Sequence, residues 1–276
     1  MTWAAEHQSV LGAARHMQGL GRSVTIAGVD GGAVVDVSAI KRGTALVSVG
    51  LANNEVGTVQ PVREVVARAH EVGALVHVDA CAGLRWISIP GADLVSISGH
   101  KLGAGRGGLL YVRDGVRIDP LLFGGPQEWG RRAGHEDVAA ATAVATALAV
   151  SSRERERRSH EAAPRAEALR ELLRELGGTT TGAEHRLPNF ASCTFAGRKG
   201  EDMLLALDLE GVSASSGSAC ASGSLDPSHV LLAMGMTMDQ ALGSLRLTTG
   251  YATTDGEVEV AISVLRKVFG RAVVRA

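Results

Sequence analysis

Residues 61–79 have the sequence PVREVVARAHEVGALVHVD, in which a helical pattern runs directly into a buried strand. Pro61 stands at the start of the helix, where its missing N–H costs nothing, and apolar residues then recur at helical spacing. Gly73 suits a helix C-terminus, and the apolar run after it ends at Asp79. A helix followed by a continuous apolar strand predicts a parallel sheet with helices packed on it.

Further apolar runs extend this pattern in both directions. Strands are predicted at residues 24–26, 45–49, 74–78, 94–98 and 108–112, and a helix at residues 7–19. Because continuous apolar strands are buried on both sides, we expect a mostly parallel sheet that is covered on both faces. Residues 1–137 are therefore predicted to form a large α/β domain.

The composition changes near residue 138. Residues 138–150 are rich in alanine, residues 166–176 have an amphipathic helical pattern, and the charged run 153–158 between them is expected to be a solvated helix face. Pro164 is expected to kink or divide this helical segment. Residues 138–178 are therefore predicted to be a helical connection between two domains.

The remaining residues, 179–276, mix the two kinds of element. Strands are predicted at residues 190–195 and 245–248, and helices at residues 201–209 and 257–268. This arrangement predicts a second, smaller C-terminal α+β domain.

The composition also excludes several classes of protein. A length of 276 residues corresponds to one or two domains. The 28 Lys and Arg balance 29 Asp and Glu, which argues against direct binding of nucleic acid. No run approaches the ~20 apolar residues that a membrane span needs. Three separated cysteines favour a reducing, cytoplasmic compartment over a disulfide framework and lack metal-ligand spacing, so no metal site is predicted.

Polar residues follow two of the predicted strands. Asp79 ends one strand, and Ser98, His100 and Lys101 follow another. Ligands of open α/β sheets bind at the carboxyl ends of strands, and this set of side chains suggests a pyridoxal phosphate site. The carboxylate would keep the pyridine nitrogen protonated, and the lysine would hold the cofactor as a Schiff base. The alternative is a surface lysine near an aspartate that caps a helix.

The Gly/Ser-rich stretch at residues 215–224, which contains Cys220, is a second candidate site. An exposed thiol on a loop of small residues can be a nucleophile, whereas the alternative is a structural cysteine in a flexible linker. Cys81 and Cys193 lie in apolar strand contexts, so we expect them to be small buried side chains.

Six motifs along nearly the whole chain carry a resemblance to a known family. They are Glu6-His7, Asn53-Asn54-Glu55-Val56-Gly57, His77-Val78-Asp79-Ala80, Ser98-Gly99-His100-Lys101, Ser215-Ser216-Gly217-Ser218-Ala219-Cys220 and Ser244-Leu245-Arg246. Their order and spacing resemble those of cysteine desulfurases, in the class V aminotransferase branch of the pyridoxal-phosphate-dependent transferases of fold type I. The long stretch after Cys220 resembles the group that serves iron–sulfur cluster assembly and other sulfur pathways.

The resemblance implies a homodimer that uses pyridoxal 5'-phosphate. Lys101 would hold the cofactor and then shuttle the substrate Cα proton, and Asp79 would pair with the pyridinium nitrogen. His7 would stack on the ring and assist proton transfer, while Ser98 and His100 would bind the phosphate.

The resemblance also implies how the substrate is handled. Arg246, with Asn54, would hold the carboxylate of L-cysteine, because a guanidinium binds a carboxylate bidentately. Cys220 would attack the substrate sulfur, release L-alanine and carry a persulfide to an acceptor protein or scaffold.

The sequence departs from the family pattern in three places. Family members begin well before the Glu6-His7 motif, so the large domain is expected to lack a first segment, whose helix N-terminus would bind the phosphate. Ala82 stands where the family has a Gln that contacts the ring hydroxyl. His135 replaces a Thr that reaches the phosphate in the partner subunit, and its imidazole could still donate to that phosphate.

These departures keep two alternatives open. One is a catalytically impaired or truncated homologue that acts as a partner-binding or sulfur-relay protein. The other is a selenocysteine lyase or another pyridoxal-phosphate enzyme of the same branch. The nucleophilic setting of Cys220 argues against an aminotransferase.

Overall fold

The computed structural model describes residues 1–217 and 226–272, so Cys220 lies outside the described residues. The strands are β1 (Thr2–Trp3), β2 (Ile26–Ala27), β3 (Leu46–Gly50), β4 (Leu75–Asp79), β5 (Leu94–Ser98), β6 (Gly108–Val112), β7 (Thr179–Thr180), β8 (Phe190–Thr194) and β9 (Ser244–Thr248). The helices are α1 (Gln8–Gly19), α2 (Val62–Glu71), α3 (Gly99–Leu102), α4 (Val138–Glu175), α5 (Gly200–Asp208), α6 (His229–Ala233), α7 (Met238–Leu242) and α8 (Asp255–Ala272).

The first part of the chain contains a four-stranded sheet in the order β3-β4-β5-β6. β3, β4 and β5 are parallel, and β6 pairs with β5 in the antiparallel sense. The predicted mostly parallel sheet is therefore confirmed. Gly50 lies opposite Asp79 in the register, so β3 and β4 end side by side. A short pair, β1 with β2, lies beside β3.

One face of this sheet is packed and the other is partly open. Valines of β3, β4 and β5 form the buried face with α2; they are Val47, Val49, Val76, Val78 and Val95. On the opposite face Ser48, His77 and Ser96 are only half-buried, and Leu46 and Leu110 are exposed. The expectation of two covered faces is therefore not met by the described residues, because polar side chains occupy alternate positions of these strands.

α4 is a single helix of 38 residues, and it is not divided at Pro164. Ala147 and Leu148 pack on the core of the first sheet, whereas Leu169 and Leu173 belong to a second core. Of the two expectations for Pro164, a kink or a division, the division is not observed, because buried contacts on both sides of Pro164 offset the backbone hydrogen bond that proline cannot donate.

The charged run within α4 is only partly solvated. The Arg158 guanidinium lies 4.6 Å from the centroid of the Tyr251 ring, which Arg85 also contacts at 4.7 Å. Arg155 Nε donates to the carbonyl oxygen of Leu84 at 3.2 Å. The expectation of a solvated face is wrong for Arg155 and Arg158, because each cation is held by a carbonyl or an aromatic ring.

The second part of the chain contains an antiparallel sheet in the order β7-β8-β9. Residues of α4, α5 and α8 pack with it in one hydrophobic core, in which Cys193 is 1% exposed. The prediction that Cys193 is a buried side chain is therefore confirmed. Among the described residues, no helix combines the length and apolar character that crossing a membrane requires.

Gly57, between β3 and α2, is expected to accept no side chain. Its φ is +78°, and an added Cβ would lie 2.7 Å from Cγ of Phe190. Gly57→Ala should lower the free energy of unfolding by about 2–5 kcal/mol, from a left-handed backbone and an overpacked contact.

Gly73→Ala is the matched control, because Gly73 has φ +80° but nothing within 4 Å of an added Cβ. It should lose only the backbone contribution of about 1–2 kcal/mol. Urea unfolding of both variants measures the difference, and equal losses would contradict a steric role for the contact with Phe190.

Candidate active site

A cavity of about 250 Å³ lies where β3, β4 and β5 end. Gly50, Asp79 and Ser98 are the last residues of these strands, and all three line the cavity. His100 and Lys101 line it from α3, which begins directly after β5. The sheet topology thus brings together residues that sequence reasoning predicted for one site, because parallel strands end at a common edge.

The remaining predicted residues divide into two groups. His7 and Asn54 also line the cavity, from the start of α1 and from the turn after β3. His135 does not line it; His135 is exposed in the segment between β6 and α4. Ala82 presents a methyl group to the cavity, at the position where the family was expected to have Gln.

Local hydrogen bonds orient several of these side chains. Asp79 Oδ1 accepts from the backbone N–H of Cys81 at 3.0 Å. Ser98 Oγ lies 2.8 Å from His100 Nδ1, so the hydroxyl and the imidazole form a polar pair. His7 caps α1, because its Nδ1 accepts from the N–H of Ser9 at 3.2 Å. The carboxylate and the polar pair are thereby held at separate strand ends.

His77 forms a hydrogen-bonded row across the same edge of the sheet. Its Nδ1 lies 2.8 Å from Ser48 Oγ and its Nε2 lies 2.7 Å from Ser96 Oγ. Burial lowers the pKa of His77, and the charge of Asp79 opposes this only in part. The His77 imidazole therefore links β3, β4 and β5, two residues before Asp79 on β4.

Glu6 is a cavity residue to which sequence reasoning gave no role, although its motif was noted. The side chain is buried, and its Oε1 accepts from the N–H of Gly50 at 2.9 Å. Burial raises the pKa of Glu6 to about 8; the Gly50 hydrogen bond opposes the rise and the charge of Asp79 adds to it. The acid before His7 was a visible signal, but its burial depends on β3, which lies far along the chain.

The position of Cys81 also differs from the prediction. β4 ends at Asp79, so Cys81 lies in the following turn, half-buried, and lines the cavity. Burial raises the pKa of its thiol to about 12, Asp79 adds to this, and Lys101 opposes it. The prediction of a buried strand cysteine is wrong because the apolar pattern does not mark the strand end, and the thiol stays protonated at neutral pH.

Arg246 is not among the residues that line the cavity, but it links the second sheet to Asn54, which is. From β9 its Nη1 donates to the carbonyl oxygen of Asn54 at 2.6 Å. Its backbone pairs with Ser215 in both directions, at 2.6 and 3.0 Å. The two residues predicted to bind the substrate carboxylate are therefore in contact with each other. They lie next to Ser215, in the segment that leads towards Cys220.

The chain that follows Cys220 is also fixed near the cavity. Ser228 Oγ donates to Glu55 Oε2 at 2.5 Å, and Glu55 is itself buried. His229 Nε2 lies 2.9 Å from the carbonyl oxygen of Glu6. After the Cys220 segment, His229 therefore contacts Glu6, which lines the cavity. Before it, Ser215 pairs with Arg246, which in turn bonds to the lining residue Asn54.

Comparisons with known proteins find similar sequences and similar folds. Residues 1–260 match the family model "Aminotransferase class-V". A cysteine desulfurase of Gluconacetobacter diazotrophicus is 40% identical over 284 residues, covering 96% of this chain and 70% of the relative. The solved structure of a NifS-like protein has a TM-score of 0.88 at 30% identity, covering 99% of this chain and 74% of that one. A structure of SspA in complex with cysteine has a TM-score of 0.76 at 27% identity, covering 92% and 74%.

The fold, with its mostly parallel sheet and a lysine after the third parallel strand, is that of pyridoxal-phosphate enzymes of fold type I. The family match spans most of the chain, and the relative exceeds 30% identity over nearly all of it. The chain belongs to the class-V aminotransferase family and, within it, to the cysteine desulfurases.

Proposed function

We propose that this chain binds pyridoxal 5'-phosphate in the cavity, converts L-cysteine to L-alanine and passes the sulfur through Cys220 to an acceptor protein or scaffold. One observation carries the assignment of residues: Lys101, Asp79 and the Ser98–His100 pair line a single cavity. His229, which follows the Cys220 segment, contacts Glu6 of the same cavity.

The donor set of the cavity fits this cofactor. Lys101 supplies an amine, Asp79 a carboxylate at a strand end, and the Ser98–His100 pair two donors for a phosphate. Ala82 supplies no hydrogen bond to the cofactor ring. The loss of a hydrogen bond to a charged group weakens binding by about 1.5–3 kcal/mol. A covalent bond to Lys101 offsets part of that loss.

Each of these residues has a separate task. Lys101 would hold the cofactor and carry the substrate Cα proton on its Nζ. Asp79 would keep the pyridine nitrogen protonated, and His7 would stack on the ring and assist proton transfer. When bound, pyridoxal phosphate withdraws electrons from the substrate carbon. Ser98 and His100 orient it by the phosphate.

The substrate is L-cysteine, as the SspA complex supports. Asn54 and Arg246 hold its carboxylate, and the fork of the guanidinium fixes its orientation. The Cys220 thiolate attacks the substrate sulfur: an S–S bond forms, the C–S bond breaks, and the carbon takes up a proton to leave as L-alanine. Cys220 then carries the persulfide to an acceptor of the iron–sulfur or related sulfur pathways.

The working form is a cytoplasmic homodimer. His135 is exposed and outside the cavity of its own chain, so its imidazole is available to the phosphate of the partner subunit. Residues 1–137 act as the cofactor domain, residues 138–178 as the helical connection and residues 179–276 as the domain with the Cys220 segment.

A direct assay tests this function. The full chain, loaded with pyridoxal 5'-phosphate, should show the visible band of a Schiff base and should form alanine and sulfide in equal amounts from L-cysteine and a thiol reductant. Protein that stays colourless after cofactor addition would contradict the assignment. Turnover of L-selenocysteine without turnover of L-cysteine would identify a selenocysteine lyase instead.

A further inference from the structure

Glu6 is the buried carboxyl of the cavity to which the proposed function gives no task. Glu6 is only 7% exposed. The side chain is held by the Gly50 N–H, which donates to Oε1 at 2.9 Å. The main chain is held by His229, whose Nε2 lies 2.9 Å from the Glu6 carbonyl oxygen. The residue directly before His7 is thus fixed at two points, on β3 and on α6.

Charged groups face Glu6 from several elements. Asp79 stands at the end of β4, opposite Gly50 in the register, and Lys101 lines the cavity from α3. His229 faces Glu6 from α6, and its Nδ1 lies 4.0 Å from Glu55 Oε1. His7 is the N-cap of α1. Asp79 is half-buried, and its charge disfavours ionisation of the buried Glu6 carboxyl.

The proton resides on Glu6. Burial raises the pKa of Glu6 to about 8, the charge of Asp79 raises it further, and the Gly50 hydrogen bond opposes both. At neutral pH the Glu6 carboxyl is therefore mostly protonated.

We propose that Glu6 is a positioning residue of the active site: its uncharged carboxyl leaves Asp79 as the single anion at the ring-binding wall, and its two anchors fix the adjoining His7 at the cavity. The roles of Asp79 and His7 rest on the proposed function, whereas the proton and the anchors of Glu6 are properties of the chain alone.

The first experiment measures the proton without cofactor. Because the folded pKa lies above the ordinary value of 4.5, the folded chain keeps a proton that the unfolded chain loses over this interval. The stabilisation is complete below about pH 4.5 and is lost as the pH rises to about 8. The Tm of the unmodified chain should therefore fall relative to that of Glu6→Gln between pH 5 and pH 9.

Glu64→Gln is the matched control, because Glu64 is exposed on α2. Its Tm should follow that of the unmodified chain at every pH. A constant Tm difference between the unmodified chain and Glu6→Gln across this range would overturn the proposal.

The second experiment measures positioning in the cofactor-loaded protein. Glu6→Ala should weaken pyridoxal phosphate binding about tenfold and alter the visible band, because the hydrogen bond from the Gly50 N–H that holds Glu6 is lost. Glu6→Gln keeps the length and the acceptor for Gly50, so it should recover most of the loss, whereas Glu6→Asp should not.

Equal impairment by Gln and Ala would overturn the proposal, because the charge of Glu6 would then matter more than its shape. If the unmodified chain binds no pyridoxal phosphate, the proposed function fails. The pH dependence of the cofactor-free chain still tests the proton on Glu6 in that case.

Discussion

Lys101→Ala is expected to remove the visible Schiff-base band and to slow alanine formation by on the order of a thousandfold. Two tasks are lost together, because the same amine anchors the cofactor and moves the Cα proton. Absorption spectra and alanine production, measured on protein treated with an excess of pyridoxal phosphate, test both tasks separately.

Lys41→Ala is the matched control, since Lys41 is an exposed lysine outside the cavity. It should leave the band and the rate as they are. A band that persists in the Lys101 variant at full height would show that another amine holds the cofactor.

Cys220→Ser is expected to abolish sulfide release from L-cysteine, by at least about a thousandfold, while the visible band stays intact. A serine hydroxyl is not ionised at neutral pH and does not replace the thiolate as a nucleophile. Sulfide assays and spectra on the same preparation separate sulfur transfer from cofactor binding.

The other two cysteines provide the internal control. Burial raises the pKa of the Cys81 and Cys193 thiols to about 12, so both stay protonated at pH 8. Iodoacetamide should therefore label the unmodified chain once, at Cys220, and leave Cys220→Ser unlabelled. Sulfide release that survives the substitution would mean that the nucleophile has been assigned wrongly.

The parts of the fold that the sequence predicts well are set by local signals. The strand at 94–98 coincides with β5, and the strand at 74–78 falls within one residue of β4. Apolar runs bounded by Gly73 and by polar residues determine these limits. The sequence also predicts the cofactor-site candidates, because Asp79 is the last residue of β4 and Lys101 follows the end of β5 by three residues.

The features that were missed depend on distant parts of the chain. Arg158 meets Tyr251 only because α4 and the segment after β9 pack together. Arg246 bonds to Asn54 across 192 residues of sequence. The burial of Glu6 likewise comes from packing against β3. Composition and periodicity do not encode such contacts, so a charged run looks solvated and a motif acid has no assigned task.

The continuous helix α4 affects how the molecule unfolds. Its 38 residues extend for about 57 Å; its first half packs against one hydrophobic core and its second half belongs to another. Unfolding of either core would expose apolar side chains of α4, and the other core packs against the same helix. The two halves of the chain therefore share one cooperative unit, and heat or denaturant should melt them together.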